Sequence, residues 1–159
     1  MAASLEIRLT GGAANSDPDA SLGGTMSSET ISATALNNLF DNVSAAEASS
    51  GDTEYRAIDV YNAGDATAKS VQAWISTESP SDDSEIEFGK DDTATQELSD
   101  ESTAPDSPAV NFSHHTSASK CDIDDIAAGS AQRLFLKRTI SASAGNYADD
   151  GITLCVQYA

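Results

Sequence analysis

Three carboxylates lie close together in the sequence and are the first candidates for chemistry. Asp122, Asp124 and Asp125 fall within four residues, and hard cations such as Ca²⁺ prefer several oxygen ligands at short range. The spacing lacks the glycine and the distal glutamate of an EF-hand loop, which favours solvated turn carboxylates. We expect no dedicated metal site: these three residues are the weak candidates, and weakly bound cations over the acidic loops are the alternative.

The other side chains that could do chemistry are two histidines and two cysteines. In a strand, the adjacent His114 and His115 point to opposite faces, which disfavours joint metal binding. Cys121 and Cys155 lie 34 residues apart without a C-x-x-C spacing. They are interpreted as free thiols or small apolar groups, and a disulfide stays open. The chain has no G-x-S-x-G, P-loop, G-x-G-x-x-G or H-E-x-x-H sequence, so we expect neither an enzyme nor a cofactor.

The charge balance narrows the range of partners. The 159 residues include 26 Asp and Glu against 8 Lys and Arg, a formal net charge of −18. Such a field repels phosphate backbones and anionic lipids, which argues against nucleic acid and membranes as partners. The N-terminal residues show no secretory signal pattern. We expect the protein to stay in the cytoplasm where it is made, or to leave it within a larger assembly.

Period-two alternation of apolar residues predicts a fold built of short strands. Strands are expected at 5–9, 54–61, 71–75, 85–88, 110–112 and 152–158, with a long strand after Gly129. Seven or eight such strands with turn signals between them predict an all-β, immunoglobulin-like β-sandwich, and a jelly roll is the alternative. Tyr61–Ser76 is predicted to form a hairpin, with Gly64 a candidate for positive φ.

The remaining segments divide the chain into an N-terminal part and a sandwich. Residues 1–34 are predicted to form one strand and an extended arm over 10–30, and residues 35–159 the sandwich domain. Ala35–Phe40 is predicted to be a short helical turn, and the residues before Gly129 a turn. Residues 78–106, with eleven Asp or Glu and one Lys, are predicted to be acidic loops facing solvent around one edge strand.

Five apolar side chains are the candidates for a subunit interface. They are Trp74, which alternation places opposite Val71 and Ile75, and Leu22, Met26, Phe40 and Val43. With them we expect the arm over 10–30 and the Ala45–Asp52 loop to contact a partner, because an arm of this kind can become ordered on a neighbouring subunit.

Two stretches resemble bacterial adhesion-type immunoglobulin-like modules. These are D-V-Y-N-A-G-D-A-T-A-K-S-V-Q-A-W-I and D-I-A-A-G-S-A-Q-R-L-F-L-K-R. The matching residues are Asn62, Gly64, Asp65, Ala68, Val71 and Ile75 in the first stretch, and Ile126, Ala128, Gly129 and Leu134 in the second. This resemblance implies an immunoglobulin-like scaffold.

A second resemblance covers most of residues 36–157. The order L-x-N-L-F-D-x-V-S-x-A-E-A-x-x-G-D-T-E-Y-R, N-x-G-D-A-T, W-I-S, I-A-A-G and Y-x-x-D-G-I-T-L resembles virion structural proteins of tailed phages and prophages. It implies a capsid decoration or cement protein located in the virion, with the major capsid protein and copies of itself as partners. A tail or head–tail accessory role, or an adhesin module that binds a host surface ligand, is the alternative. No catalytic residues carry over from the resemblance.

Overall fold

Within the described part of the chain, the fold consists of eight strands, one short α-helix and a single 3₁₀ turn, Pro18–Ala20. The structure is a computed structural model that describes residues 2–34, 36–106 and 109–159. Its elements are β1 (Leu5–Thr10), β2 (Met26–Thr30), α1 (Ala45–Ser50), β3 (Asp52–Asn62), β4 (Ala68–Thr77), β5 (Ser84–Lys90), β6 (Cys121–Ile126), β7 (Ala131–Ile140) and β8 (Thr153–Gln157). The all-β prediction is confirmed.

The strands form two antiparallel sheets that pack face to face. The larger sheet has the order β2-β1-β3-β7-β5 and the smaller one β6-β4-β8. The predicted inward residues of β3 and β7, such as Ile58, Val60 and Leu134, are at most 1% exposed and form the main core with Val71 and Ile75 of β4. Alternation along each strand therefore identified the core face correctly.

The strand order corresponds to an immunoglobulin-like sandwich. Six of the strands correspond to strands A, B, C, D, E and F of that fold; in this order they are β1, β3, β4, β5, β7 and β8. They give the order A-B-E-D in one sheet and place C beside F in the other. β2 is added beside β1, and β6 is added beside β4. This arrangement accounts for five strands facing three.

The connection between β3 and β4 is a crossover between the sheets, so the predicted Tyr61–Ser76 hairpin is wrong. The buried Asn62 holds this crossover: its Oδ1 accepts from the Ser4 and Gly64 amides, and its Nδ2 donates to the Ala66 and Ile126 carbonyls at 2.8 and 2.9 Å. Gly64 is not among the residues with positive φ. A Cβ at Gly64 would lie 2.3 Å from the Ala2 carbonyl oxygen, so glycine is required there for close backbone approach.

Residues 10–30 do not form an extended arm, which corrects that prediction. β2 pairs with β1, and the intervening loop folds back over the outer face of the large sheet. There the buried Ser21 hydroxyl donates to the Ala57 carbonyl at 2.6 Å and accepts from the Thr10 amide at 2.9 Å. The many small polar residues of this loop therefore supply hydrogen bonds within the fold.

Other local predictions also need correction. Residues 36–40 contain no helical turn, since Leu36 and Asn37 have positive φ; Ala35 lies outside the described residues. The predicted 45–52 loop contains α1, which begins at a capping box formed by Ser44 and Glu47. Residues 110–112 do not form a strand in the described structure; Val110 makes one isolated bridge, to Asp91. The predicted turn before Gly129 contains β6.

The acidic region 78–106 is not simply a set of solvent-facing loops. The predicted edge strand is confirmed as β5, which lies at the edge of the large sheet. The loops around it do not all face solvent, because the buried Leu98 joins Val110, Ala57 and Phe135 in a second apolar cluster on the outer face of that sheet. Leu22, Tyr55 and Phe112 pack around this cluster. The large sheet is therefore covered on both faces.

Candidate functional site

The three predicted metal ligands on β6 are held by separate partners. Lys90 Nζ lies 2.6 Å from Asp124 Oδ2, and Lys69 Nζ lies 2.6 Å from Asp125 Oδ2. The hydrogen bond from Lys69 lowers the pKa of Asp125. Asp122 accepts the Asp124 amide at 3.1 Å. A shallow surface depression contains all three carboxylates, but two of them are already paired with lysine, so this set does not converge on one point.

A stronger concentration of charge, which sequence reasoning missed, lies at one end of the sandwich interior. Glu54 and Arg138 are register partners on β3 and β7, and Arg138 Nε donates to Glu54 Oε2 at 2.6 Å. The Arg138 guanidinium also donates to the backbone carbonyl of Asp41 at 2.7 Å and to the Asp41 carboxylate at 3.2 Å. Burial raises the pKa of Glu54, and the neighbouring Arg138 partly offsets this effect.

The second guanidinium of this network belongs to Arg56, which is fully buried. Its Nε donates to the Leu39 carbonyl at 3.2 Å, and its terminal nitrogen binds the Glu101 carboxylate at 2.5 Å. The ring of Phe40 contacts both arginines, with guanidinium carbons 5.6 Å (Arg56) and 4.9 Å (Arg138) from its centroid. The network thus ties the loop before α1 to the large sheet.

The carboxylates of this network are close enough to hold a cation. Oxygens of Asp41, Glu54 and Glu101 lie within 4.8 Å of one another, and so do those of Glu47, Asp52 and Glu54. In the first group, however, each carboxylate already binds one of the two arginines. A divalent cation there would meet two guanidinium charges, so the geometry fits a structural ion-pair network better than a metal site. The sequence did carry a signal, because alternation places Glu54 and Arg56 on the same face as Ile58.

A further buried ion pair and a loop anchor lie on the outer face of the large sheet. Arg133 binds Asp59 through two hydrogen bonds of 3.1 and 2.8 Å, with both side chains under 5% exposed. Next to them, the buried Asp91 accepts three hydrogen bonds from Thr93 and the Gln96 side chain, at 2.8–3.1 Å. Burial alone would raise the pKa of Asp91, but these hydrogen bonds outweigh it and lower the pKa.

The predicted interface residues occupy different environments. Trp74 lies half-buried on the outer face of the small sheet, with Lys120 Nζ 4.3 Å from its ring centroid. Leu22 and Phe40 pack against the two apolar clusters, and Met26 is half-buried on β2. Val43 is 36% exposed. Val43 is therefore the exposed member of the five, while the other four are half-buried and lie on different elements of the fold.

The histidines and cysteines also diverge. His114 Nδ1 lies 3.1 Å from the Ile86 carbonyl and Nε2 3.1 Å from the Glu78 carboxylate; these contacts, the carbonyl first, raise the pKa of His114. His115 instead packs against the ring of Phe88. Both thiols are free. Cys121 opposes the inward Ala73, whereas Cys155 opposes the outward Trp74, so the thiols lie on opposite faces of the small sheet.

All eight basic side chains are engaged within the molecule. Seven contact a carboxylate, and Lys120 contacts Trp74. Within the described residues, no buried side-chain nitrogen or oxygen lacks a hydrogen-bond partner. The surplus of carboxylates over basic groups is thus distributed over the surface.

These features define an acidic β-sandwich with immunoglobulin-like strand order and an interior stabilised by buried ion pairs. Comparisons with protein-family models, with curated proteins and with solved structures found no match. None of the helices in the described ranges has the length and apolar character needed to cross a membrane.

Proposed function

We propose that this chain is a structural protein of a tailed-phage virion, which decorates or cements the capsid through protein–protein contacts. The observation that carries the proposal is the charge arrangement: the basic side chains are engaged by groups of the same chain, and the excess carboxylates lie on the surface. Such a surface favours solubility at high copy number and limits binding to DNA during assembly. The resemblance of most of residues 36–157 to virion structural proteins supports the same role.

The proposed partners are the major capsid protein and further copies of this chain. An acidic surface gains most from a partner that presents lysine and arginine, because complementary charge speeds association and orients the encounter. The half-buried Trp74 supplies an aromatic anchor on the outer face of the small sheet, and aromatic residues of this kind concentrate binding energy in interfaces.

Quantitative mass spectrometry of purified particles tests the role. Decoration predicts dozens to hundreds of copies per virion, whereas a handful of copies would indicate a tail or head–tail accessory. Absence of the chain from the particles would defeat the proposal. Cell binding that is lost on addition of a chelator would indicate an adhesin instead.

A binding assay with capsids that lack the protein tests the contact face. Trp74→Ala is expected to weaken co-sedimentation with capsids, and Tyr147→Ala is the matched control because Tyr147 is also an accessible aromatic, 46% exposed. Equal binding by the two variants would remove the Trp74 face from the proposed interface.

A further inference from the structure

The edge strand β8 differs chemically from the other three edge strands. β2 carries Glu29, β5 carries Glu85, Glu87 and Lys90, and β6 carries three aspartates, whereas β8 has the uncharged sequence T-L-C-V-Q. Charged side chains on an edge strand oppose pairing with a foreign strand. Only β8 among these edges lacks that protection.

The backbone of β8 also presents groups to its open side. Within the described ranges, β4 is the one strand that pairs with β8. Ile75 of β4 donates its amide to His115 on the far side, so Ile75 and Leu154 form a non-hydrogen-bonded pair. The amide and carbonyl of Leu154 therefore point away from β4, and alternation gives the same direction for Val156.

Next to this edge, the apolar surface between β8 and the facing strands β1 and β2, called here the apolar floor, is only partly covered. Ile152, Leu154 and Val156 pack against the core but remain partly exposed, as do Leu5, Ile7 and Ile31 on the facing sheet. Because β6 contacts β5 and β7 at one edge of the large sheet, the other edge strand of the small sheet, β8, lies over the end of the large sheet that contains β1. β2 then extends beyond β8 at that end. In an immunoglobulin sandwich, strand G occupies the place beside strand F. The described residues place no strand there.

The overhang of β2 restricts what can occupy this place. If a second copy paired its own β8 with this edge, its β1 and β2 would overlap with β1 and β2 of the first copy. A single extended segment has no such conflict. Strand alternation places Glu29 on the same side of β2 as Ile31, and two further carboxylates, Asp149 and Asp150, precede β8. Neither residues 9–55 nor residues 139–159 contain a lysine or arginine. The surrounding charge thus favours a basic segment.

We infer that the edge of β8 is a strand-addition site for an extended segment of another protein, with apolar residues alternating with lysine or arginine. The apolar side chains cover the floor between β8 and β1–β2, the backbone pairs with Leu154 and Val156, and the basic side chains face the acidic surroundings. This inference rests on the edge geometry and holds whether or not the chain is part of a virion.

Three synthetic peptides of about eight residues, a typical strand length, test the inference against the intact protein. The first alternates isoleucine with lysine, and the second alternates isoleucine with glutamate. The third has the first sequence with N-methyl groups on the amides that would face β8. We expect the first peptide to bind and to slow amide hydrogen exchange at Leu154 and Val156. The affinity of the other two peptides should be lower by about tenfold at least.

Two protein variants with the same added charge separate edge contact from overall charge. Cys155→Lys places a lysine on β8, whereas Gln72→Lys places it on the same face of β4, one strand from the edge. The first should weaken binding of the lysine peptide severalfold more than the second, with both variants checked for native circular dichroism. Equal binding of the N-methylated or the glutamate peptide would overturn the inference, as would exchange protection outside β8. Protection of β8 by dimerisation without peptide would identify a second copy as the occupant and overturn it too.

Discussion

Replacing Asp59 by asparagine should strongly destabilise the fold, because it leaves the Arg133 guanidinium buried without its counter-charge. Both side chains are under 5% exposed, and two hydrogen bonds join them. Removing one partner of a buried pair costs about 3–5 kcal/mol. At roughly 2–4 °C per kcal/mol for a chain of this size, the melting temperature should fall by about 6–20 °C.

Thermal unfolding followed by circular dichroism measures this loss, and urea unfolding measures the free energy directly. The control is Asp125→Asn, which removes the partner of the exposed Lys69, where solvent already screens the charges; its melting temperature should change far less. The double variant Asp59→Leu/Arg133→Met should recover most of the loss, because it removes both buried charges together. If Asp59→Asn is no more destabilising than Asp125→Asn, or if the double variant is as unstable as the single one, the argument from uncompensated buried charge is wrong.

Three further predictions concern single sites. Gly64→Ala should lower the melting temperature by several degrees, because its Cβ would overlap the N-terminal backbone; Gly151→Ala, where a Cβ meets nothing within 4 Å, should leave it nearly unchanged. The raised pKa of His114 stabilises the fold fully below its ordinary pKa of about 6.5, and this contribution is lost as the pH rises through the raised value; His114→Gln should abolish that part of a stability–pH profile. The lowered pKa of Asp91 gives the opposite sign, with stability present above its ordinary value and lost in acid, so Asp91→Asn should destabilise at neutral pH and converge with wild type at low pH. A uniform offset across pH for either variant would contradict the assigned titration.

The inner face of the sandwich could be predicted from the sequence because it depends on local alternation. Ile58, Val60, Leu134 and Leu136 repeat at the strand period and all lie in the core. The path of the chain between sheets could not be predicted in this way. A hairpin and a crossover both need a strand, a few small polar residues and another strand. The choice depends on the contacts of Asn62 with segments distant in sequence.

The buried ion pairs were missed for a related reason. Asp59 alternates with Ile58 and Val60, so it is interpreted as solvent-facing when only one face of the sheet is assumed to be covered. Arg56 shares the inward face of Ile58, but its partner Glu101 lies 45 residues away in the sequence. Here residues 11–25, 91–106 and 109–113 cover the outer face, which buries Asp59 and Arg133. The loop before α1 closes one end of the sandwich over Arg56. Whether a loop covers a sheet is a property of tertiary packing, which a single sequence does not reveal.

The distribution of charge joins the fold to its proposed interactions. Because seven of the eight basic groups already contact a carboxylate of the same chain and Lys120 contacts Trp74, few cations remain on one copy to attract the acidic surface of another. Association must therefore use uncharged surface or a partner that supplies the cations. The Trp74 face meets the first condition only in part, since three aspartates lie nearby on β6. The edge of β8 meets it fully and has carboxylates around it, so an extended basic segment gains backbone pairing, apolar cover and charge neutralisation in one place.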